Sequence, residues 1–105
     1  MLVLFETQAR ERMAQLRTSL ATWDVMAARQ CMHSLVNISG AVHAYGMSEQ
    51  TKALGEAVKQ DDRLMADQLF EALGREAELV LRQTSALLVA LAKDLPSIWN
   101  VALPD

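Results

Sequence analysis

The spacing of the apolar side chains constrains the fold of this chain more than any other feature of its sequence. These side chains recur at steps of three and four residues, which is the period of one face of an α-helix. In the first stretch, from Leu2 to Trp23, this face carries Phe5, Ala9, Met13, Leu16 and Leu20. In the second stretch, from Asp24 as N-cap to an end at Tyr45-Gly46, it carries Ala28, Cys31, Leu35, Ile38 and Val42. The first half of the chain is therefore predicted to form two amphipathic helices.

The second half of the chain repeats this pattern twice. Ser48 is the predicted N-cap of a shorter third helix that ends in the polar turn 59–62. The inward side of that helix is predicted to carry Ala53, Leu54, Ala57 and Val58. A long fourth helix is predicted from Arg63 to about Lys93, with Gly74 as a weak point and Pro96 just past its end. Its predicted inward residues are Leu69, Leu73, Val80, Leu87 and Leu91.

Short connections between such helices favour one architecture. Neighbouring helices joined by a few residues must run in opposite directions, so we expect an all-α fold, an antiparallel up-down-up-down four-helix bundle. The composition agrees, because good helix formers dominate and there are 4 Gly and 2 Pro. We assign residues 1–96 to the bundle. Residues 97–105 form an apolar tail that packs on the bundle or on a partner, and the sequence leaves both open.

Charge and cysteine content exclude several classes of function. The 10 basic and 13 acidic residues are scattered, so no stripe of one sign is present to attract nucleic acid or an anionic membrane. The single cysteine, Cys31, forms no internal disulfide, which favours a reducing cytoplasm. The apolar runs are shorter than the roughly 20 residues needed to span a bilayer. We expect a cytoplasmic monomer without membrane contact, although the segment could be the cytoplasmic end of a membrane-bound sensor kinase.

His33 is the most conspicuous candidate for a functional residue. At about 100° per residue it lies roughly 160° around the second helix from Cys31, so it faces solvent when the apolar stripe faces the core. Its predicted surface neighbours are Met26, Arg29, Gln30, Val36, Asn37, Gly40 and Ala44. A lone surface histidine usually has no special role, but small and apolar neighbours favour a surface on which a protein docks. The other histidine, His43, fits a position near a helix C-terminus, where its positive charge is favoured by the helix dipole.

The segment from Asp24 to Gly46 resembles the histidine-phosphotransfer (HPt) domains of multistep phosphorelays. In that family an acidic turn opens a helix that carries the motif His-x-Leu-Lys-Gly, and this chain has His33-Ser34-Leu35-Val36-Asn37. The likeness covers most of the chain, since the preceding helix, the Leu54-Gly55-Glu56-Ala57 stretch and the Asp61-Asp62 hairpin follow in the family's order. The chain departs from the motif twice, with Val36 in place of lysine and Asn37 in place of glycine.

The resemblance implies a phosphocarrier in bacterial two-component signalling. His33 would accept a phosphoryl group from an aspartate in the receiver domain of a hybrid sensor kinase and pass it to a response regulator. The seven neighbours of His33 would bind the receiver, and Arg29 would approach the phosphoryl oxygens. No cofactor or metal is expected in this chain, because Mg²⁺ would come from the partner receiver domain. The chain alone would not be an enzyme, unless it is the C-terminal domain of a hybrid histidine kinase.

Two other functions remain open from the sequence. The first is an HPt-like adaptor or inhibitor that binds a receiver or kinase without being phosphorylated, which the residues Val36 and Asn37 favour. The second is an unrelated helical interaction or dimerisation module, favoured by the 6 methionines and the apolar tail. Most enzyme classes are disfavoured, because no Gly-rich phosphate loop and no His-Glu-x-x-His or Glu-x-x-His motif is present.

Overall fold

Four α-helices account for almost all of the described chain. The computed structural model describes the backbone of residues 2–102 and the side chains of residues 4–92. The helices are α1 (Leu2–Ala21), α2 (Val25–Ala41), α3 (Tyr45–Lys59) and α4 (Arg63–Ala102), and the described residues contain no strand. Each helix packs against the next one in the chain, and α4 closes against α1, so α2 and α4 lie on a diagonal. The predicted all-α four-helix bundle is confirmed.

The core is built from the predicted apolar faces of the helices. Each helix contributes one leucine with no exposed surface, namely Leu16, Leu35, Leu54 and Leu73. Two buried hydroxyl groups satisfy themselves within their own helices, since Ser39 Oγ donates to the Leu35 carbonyl and Thr51 Oγ1 donates to the Met47 carbonyl. The interior is therefore largely apolar, and these hydroxyl groups are bonded to backbone. Among the described side chains, Gln50 Oε1 is buried without a hydrogen-bond partner.

The three turns between the helices share one backbone arrangement. At Trp23, His43 and Asp61 the chain adopts positive φ angles of 53°, 61° and 58°. In each turn the N–H of this residue and the N–H of the next residue bond to carbonyls in the last turn of the preceding helix, which is the Schellman pattern. Glycine usually occupies this left-handed position. The connections are three residues long, as an up-and-down bundle requires.

The boundary between α2 and α3 differs from the predicted one. The turn centred on His43 ends α2 at Ala41, so Tyr45-Gly46 open α3 and do not close α2. Ser48 is therefore buried inside α3, and Ala44 is the N-cap, without a side-chain hydrogen bond. Ala53 was predicted to face inward and is exposed, because it lies about 120° from the centre of the face that buries Leu54, Thr51 and Met47.

The length of α4 also differs from the prediction. The helix continues through Pro96 to Ala102, whereas we expected it to end near Lys93. Proline removes a single backbone hydrogen bond, here to the Ala92 carbonyl, and a helix with flanking bonds intact can continue past it. The side chains of residues 97–105, to which we assigned packing on the bundle or on a partner, lie outside the described ones.

Leu87 and Leu91 were predicted to lie in the core and are 49% and 50% exposed. The reason is that the C-terminal part of α4 extends beyond the ends of its neighbours α1 and α3. Gly46, in the first turn of α3, lies beside Glu76, so α3 does not reach the level of Leu87. Glu6 near the start of α1 accepts a hydrogen bond of 2.8 Å from Ser85 Oγ. Because α1 begins at Leu2, it reaches only about one turn beyond Ser85 along α4. The longest dimension of the molecule, 63 Å, is close to the length expected for a helix of 40 residues.

Candidate functional site

His33 lies near the middle of α2 on its outer face. The turn before α2 sets this orientation, because Asp24 Oδ1 accepts a hydrogen bond of 3.2 Å from the Ala27 amide and begins the helix at Val25. From there the helical period buries Cys31 and Leu35 and leaves the His33 side chain exposed. The exposure predicted for His33 is therefore observed.

The imidazole of His33 has one polar neighbour in its own helix. Its Nε2 atom lies 3.4 Å from the Asn37 amide nitrogen, one turn further along. An amide N–H has no acceptor lone pair, so this contact is a hydrogen bond when Nε2 is unprotonated and accepts. A ring held in this form has a lone pair on the nitrogen furthest from the backbone. The same lone pair accepts the Asn37 N–H, so Nε2 can attack an electrophile only after this hydrogen bond opens.

A shallow depression lies beside His33 on the surface of α2. Its lining includes four residues of the predicted site, and the full set is Val25, Met26, Arg29, Gln30 and His33. Met26 is 73% exposed although it is large and apolar. Sequence reasoning missed Val25, whose position eight residues before His33 places it on the same side of the helix. The depression offers an apolar contact at one end and a histidine at the other.

The remaining predicted site residues lie outside this depression. Val36 and Gly40 are half-buried on α2, and a methyl group added to Gly40 would meet nothing within 4 Å. No contact with the described residues therefore requires glycine there. Ala44 was predicted to lie on the same helix as His33 and belongs to the turn after it, because α2 ends at Ala41.

Two arginines line depressions that include residues of α2. Arg29 lines the depression, and its guanidinium makes no hydrogen bond or ion pair with any described side chain. Arg12 of α1 donates a 2.8 Å hydrogen bond to Gln15 and lines a small groove shared with Gln30 and Ser34 of α2. The sequence analysis missed Arg12, because only the packing of α1 against α2 brings it to this side.

His43 has a different environment from His33. Its Nδ1 atom lies 2.7 Å from the Tyr45 hydroxyl, and the two rings meet edge to face with centroids 5.6 Å apart. Its ring is thereby held in the turn between α2 and α3. Across the described residues, no three His, Cys, Asp or Glu side chains come together as possible metal ligands.

No family model, curated protein or solved structure matches this chain. None of the described helices combines the length and the apolar character that crossing a bilayer requires.

Proposed function

We propose that this chain is a phosphorelay phosphocarrier in which His33 accepts and donates a phosphoryl group. The observation that carries the proposal is the exposed imidazole of His33, with Nε2 beside the Asn37 amide and next to a depression lined by Met26 and Arg29. Phosphoryl transfer requires mainly positioning and charge neutralisation, so a carrier needs little beyond an accessible nucleophile on a rigid helix.

The proposed step exchanges one phosphorus bond for another. The Nε2 lone pair of His33 attacks the phosphorus of an aspartyl phosphate on a receiver domain. As the N–P bond forms, the P–O bond to the aspartate breaks, and the carboxylate leaves with the electron pair. Nδ1 retains its proton during this step. The reverse step transfers the phosphoryl group to an aspartate of a second receiver, and the Mg²⁺ that both steps need would belong to the receivers.

The surroundings of His33 suit a docking protein. Met26 and Val25 provide an apolar contact, which desolvates when a partner surface covers it. Arg29 has no hydrogen-bond or ion-pair partner among the described side chains, and its guanidinium could donate a planar pair of hydrogen bonds to phosphoryl oxygens. It would take the place of the cation that is missing at Val36.

A second function is favoured by one specific observation. No cation stands at position 36, and the Val36 side chain is half-buried. A chain with this helix could dock on a receiver or kinase without accepting the phosphoryl group, as an adaptor or inhibitor. Binding without transfer separates this alternative from the phosphocarrier.

The test uses a receiver domain whose aspartate carries a ³²P-labelled phosphoryl group. The phosphocarrier is expected to take up label that survives alkali and is lost in acid, which distinguishes a phosphohistidine from an acyl phosphate. Measurable binding without label would favour the adaptor. Neither binding nor label, across a panel of receiver domains, would contradict both.

A further inference from the structure

A groove runs between α1 and α4, on a side of the bundle away from the outer face of α2. Its volume is about 810 Å³. The apolar part of its lining comprises Met13, Ala14, Phe70, Ala77 and Leu81. Four arginines and two glutamates also line it: Arg10, Arg17, Arg75, Arg82, Glu71 and Glu78. A chain with a net charge of −3 thus places four of its 10 basic residues on one groove.

The charges in this groove are not paired with one another. Glu71 and Arg75 are four residues apart on α4, and so are Glu78 and Arg82, a spacing that permits ion pairs along a helix. Among the described side chains, however, the ion pair that forms is Lys52–Glu49 on α3. The groove therefore presents separate positive and negative groups to whatever covers it.

The outer stripe of α4 is symmetric in sequence. It carries Leu64, Gln68, Glu71, Arg75, Glu78, Arg82, Ser85 and Val89 in that order. The spacing is the same from either end, and opposite charges stand at equivalent distances from a midpoint between residues 76 and 77. Two such helices packed antiparallel about that midpoint place Glu71 opposite Arg82 and Arg75 opposite Glu78. Such self-complementarity is the property that a two-fold interface requires.

We propose that this groove binds a second copy of the chain, as a two-fold symmetric dimer in which the two α4 helices pack antiparallel. The ends of the stripe support this register, because it places Leu64 of one copy opposite Val89 of the other. These two apolar side chains are 71% and 54% exposed in the single chain. The paired stripe spans 25 helical steps, or about 37 Å.

The arginines of α1 fit the same register. Because Glu6 contacts Ser85 and the two helices run antiparallel, Arg10 lies near the level of Leu81 and Arg17 near the level of Gly74. In the dimer these levels face residues 72 and 79 of the second copy, next to its Glu71 and Glu78. Each glutamate then lies between two arginines of the other copy. A network of this kind contributes more than isolated surface ion pairs do.

Gly74 lines the groove at the level that faces residue 79 of the second copy. A methyl group on Gly74 would meet nothing within 4 Å, so the surface there is open. The proposed dimer leaves His33 uncovered, because α2 lies diagonally across the bundle from α4. It replaces the monomer that we expected from the sequence.

The test uses two variants with opposite changes of charge. The variant R75E/R82E makes the stripe entirely acidic, and E71R/E78R makes it entirely basic. Each variant alone should be monomeric, since every paired position of the two α4 helices then meets its own sign. An equal mixture should form a heterodimer at least tenfold tighter than either homodimer, because every such pair is again of opposite sign. Sedimentation velocity measures these masses against the 11.6 kDa of one chain.

The exposed face of α3 provides matched controls. The variants K52E/K59E and E49R/E56R make the same changes of charge at the same seven-residue spacing, and they should dimerise as the unmodified chain does. Circular dichroism checks that the variants are helical. If the variants fail to fold, the unmodified chain tests the proposal by itself. It should dimerise as its concentration rises to about 1 mM and dissociate as salt is added. A monomer at every concentration, or a mixture of folded variants that stays monomeric, would overturn the proposal.

Discussion

The surroundings of His33 come almost entirely from its own helix. The exposure of His33 could be predicted from the sequence because it follows from the helical period alone, once Cys31 and Leu35 are taken as buried. The approach of Asn37 to Nε2 could not, because it depends on the side-chain torsions of both residues. The proximity of Arg12 could not be predicted either, since it depends on how α1 packs against α2.

Restoring the family's cation at position 36 should strengthen phosphoryl transfer. In Val36→Lys the aliphatic part of the side chain can cover the half-buried site while the ammonium group reaches solvent beside His33. We expect uptake from a labelled receiver to rise about three- to tenfold, an effect of roughly 1 kcal/mol. Ala53→Lys adds the same charge on the exposed surface of α3 and should leave the rate unchanged. Equal rates for both variants would show that no cation is needed near His33.

The left-handed backbone at His43 predicts an unusual order of stabilities. His43→Gly and His43→Ala both remove the hydrogen bond to Tyr45, but only glycine adopts a φ of 61° without strain. We expect the glycine variant to be more stable than the alanine variant by about 1 kcal/mol, measured by urea denaturation. The reverse order, which the higher helix propensity of alanine would give, would contradict the turn described here.

At the scale of the helices, the starts of α2 and α4 were predicted correctly, and both have a capping side chain. Asp24 and Asp62 accept hydrogen bonds from the Ala27 and Met65 amides, and α2 and α4 begin directly after them. The start of α3 was placed four residues too late, with Ser48 as N-cap instead of Ala44, because Ala44 provides no capping side chain. Sequence patterns identify a helix start from its cap, so a start determined by the preceding turn is missed.

Removing the cap of α2 and adding a cap to α3 should change the free energy of unfolding in opposite directions. Asp24→Ala should lower the free energy of unfolding by about 1 kcal/mol, because it removes the acceptor for the Ala27 amide. Ala44→Asp should raise it by about 0.5–1 kcal/mol, since Ala44 has backbone angles close to those of Asp24. Both changes are measured by thermal and urea unfolding. A loss of stability in Ala44→Asp would mean that the α3 start cannot be capped in this way.

At the scale of the whole molecule, the helices have unequal lengths, and this decides where the core ends. The sequence shows a continuous apolar pattern along α4, but burial depends on how far α1 and α3 extend beside it. α4 has 40 residues and α3 has 15, so the last turns of α4 have fewer neighbours than its first ones. The helices and their inner faces could thus be predicted, whereas the reach of the bundle could not.

Two leucines of α4 should therefore differ in their contribution to stability, although the sequence predicts both to be in the core. Leu73→Ala should cost about 2–5 kcal/mol, because Leu73 has no exposed surface. Leu87→Ala should cost about 1 kcal/mol or less, because Leu87 is half-exposed. Urea denaturation at low protein concentration measures both. Equally large losses in the free energy of unfolding for both variants would show that the core extends further along α4 than described here.

The most direct test of the central claim is to determine which residue carries the label after incubation with a ³²P-labelled receiver domain. The two histidines provide a matched pair, since each can be replaced by glutamine, which is uncharged and has a side chain of similar length. We predict that His43→Gln retains acid-labile, alkali-stable label at the level of the unmodified chain and that His33→Gln loses it. Label that persists in His33→Gln would contradict the assignment of phosphoryl transfer to His33.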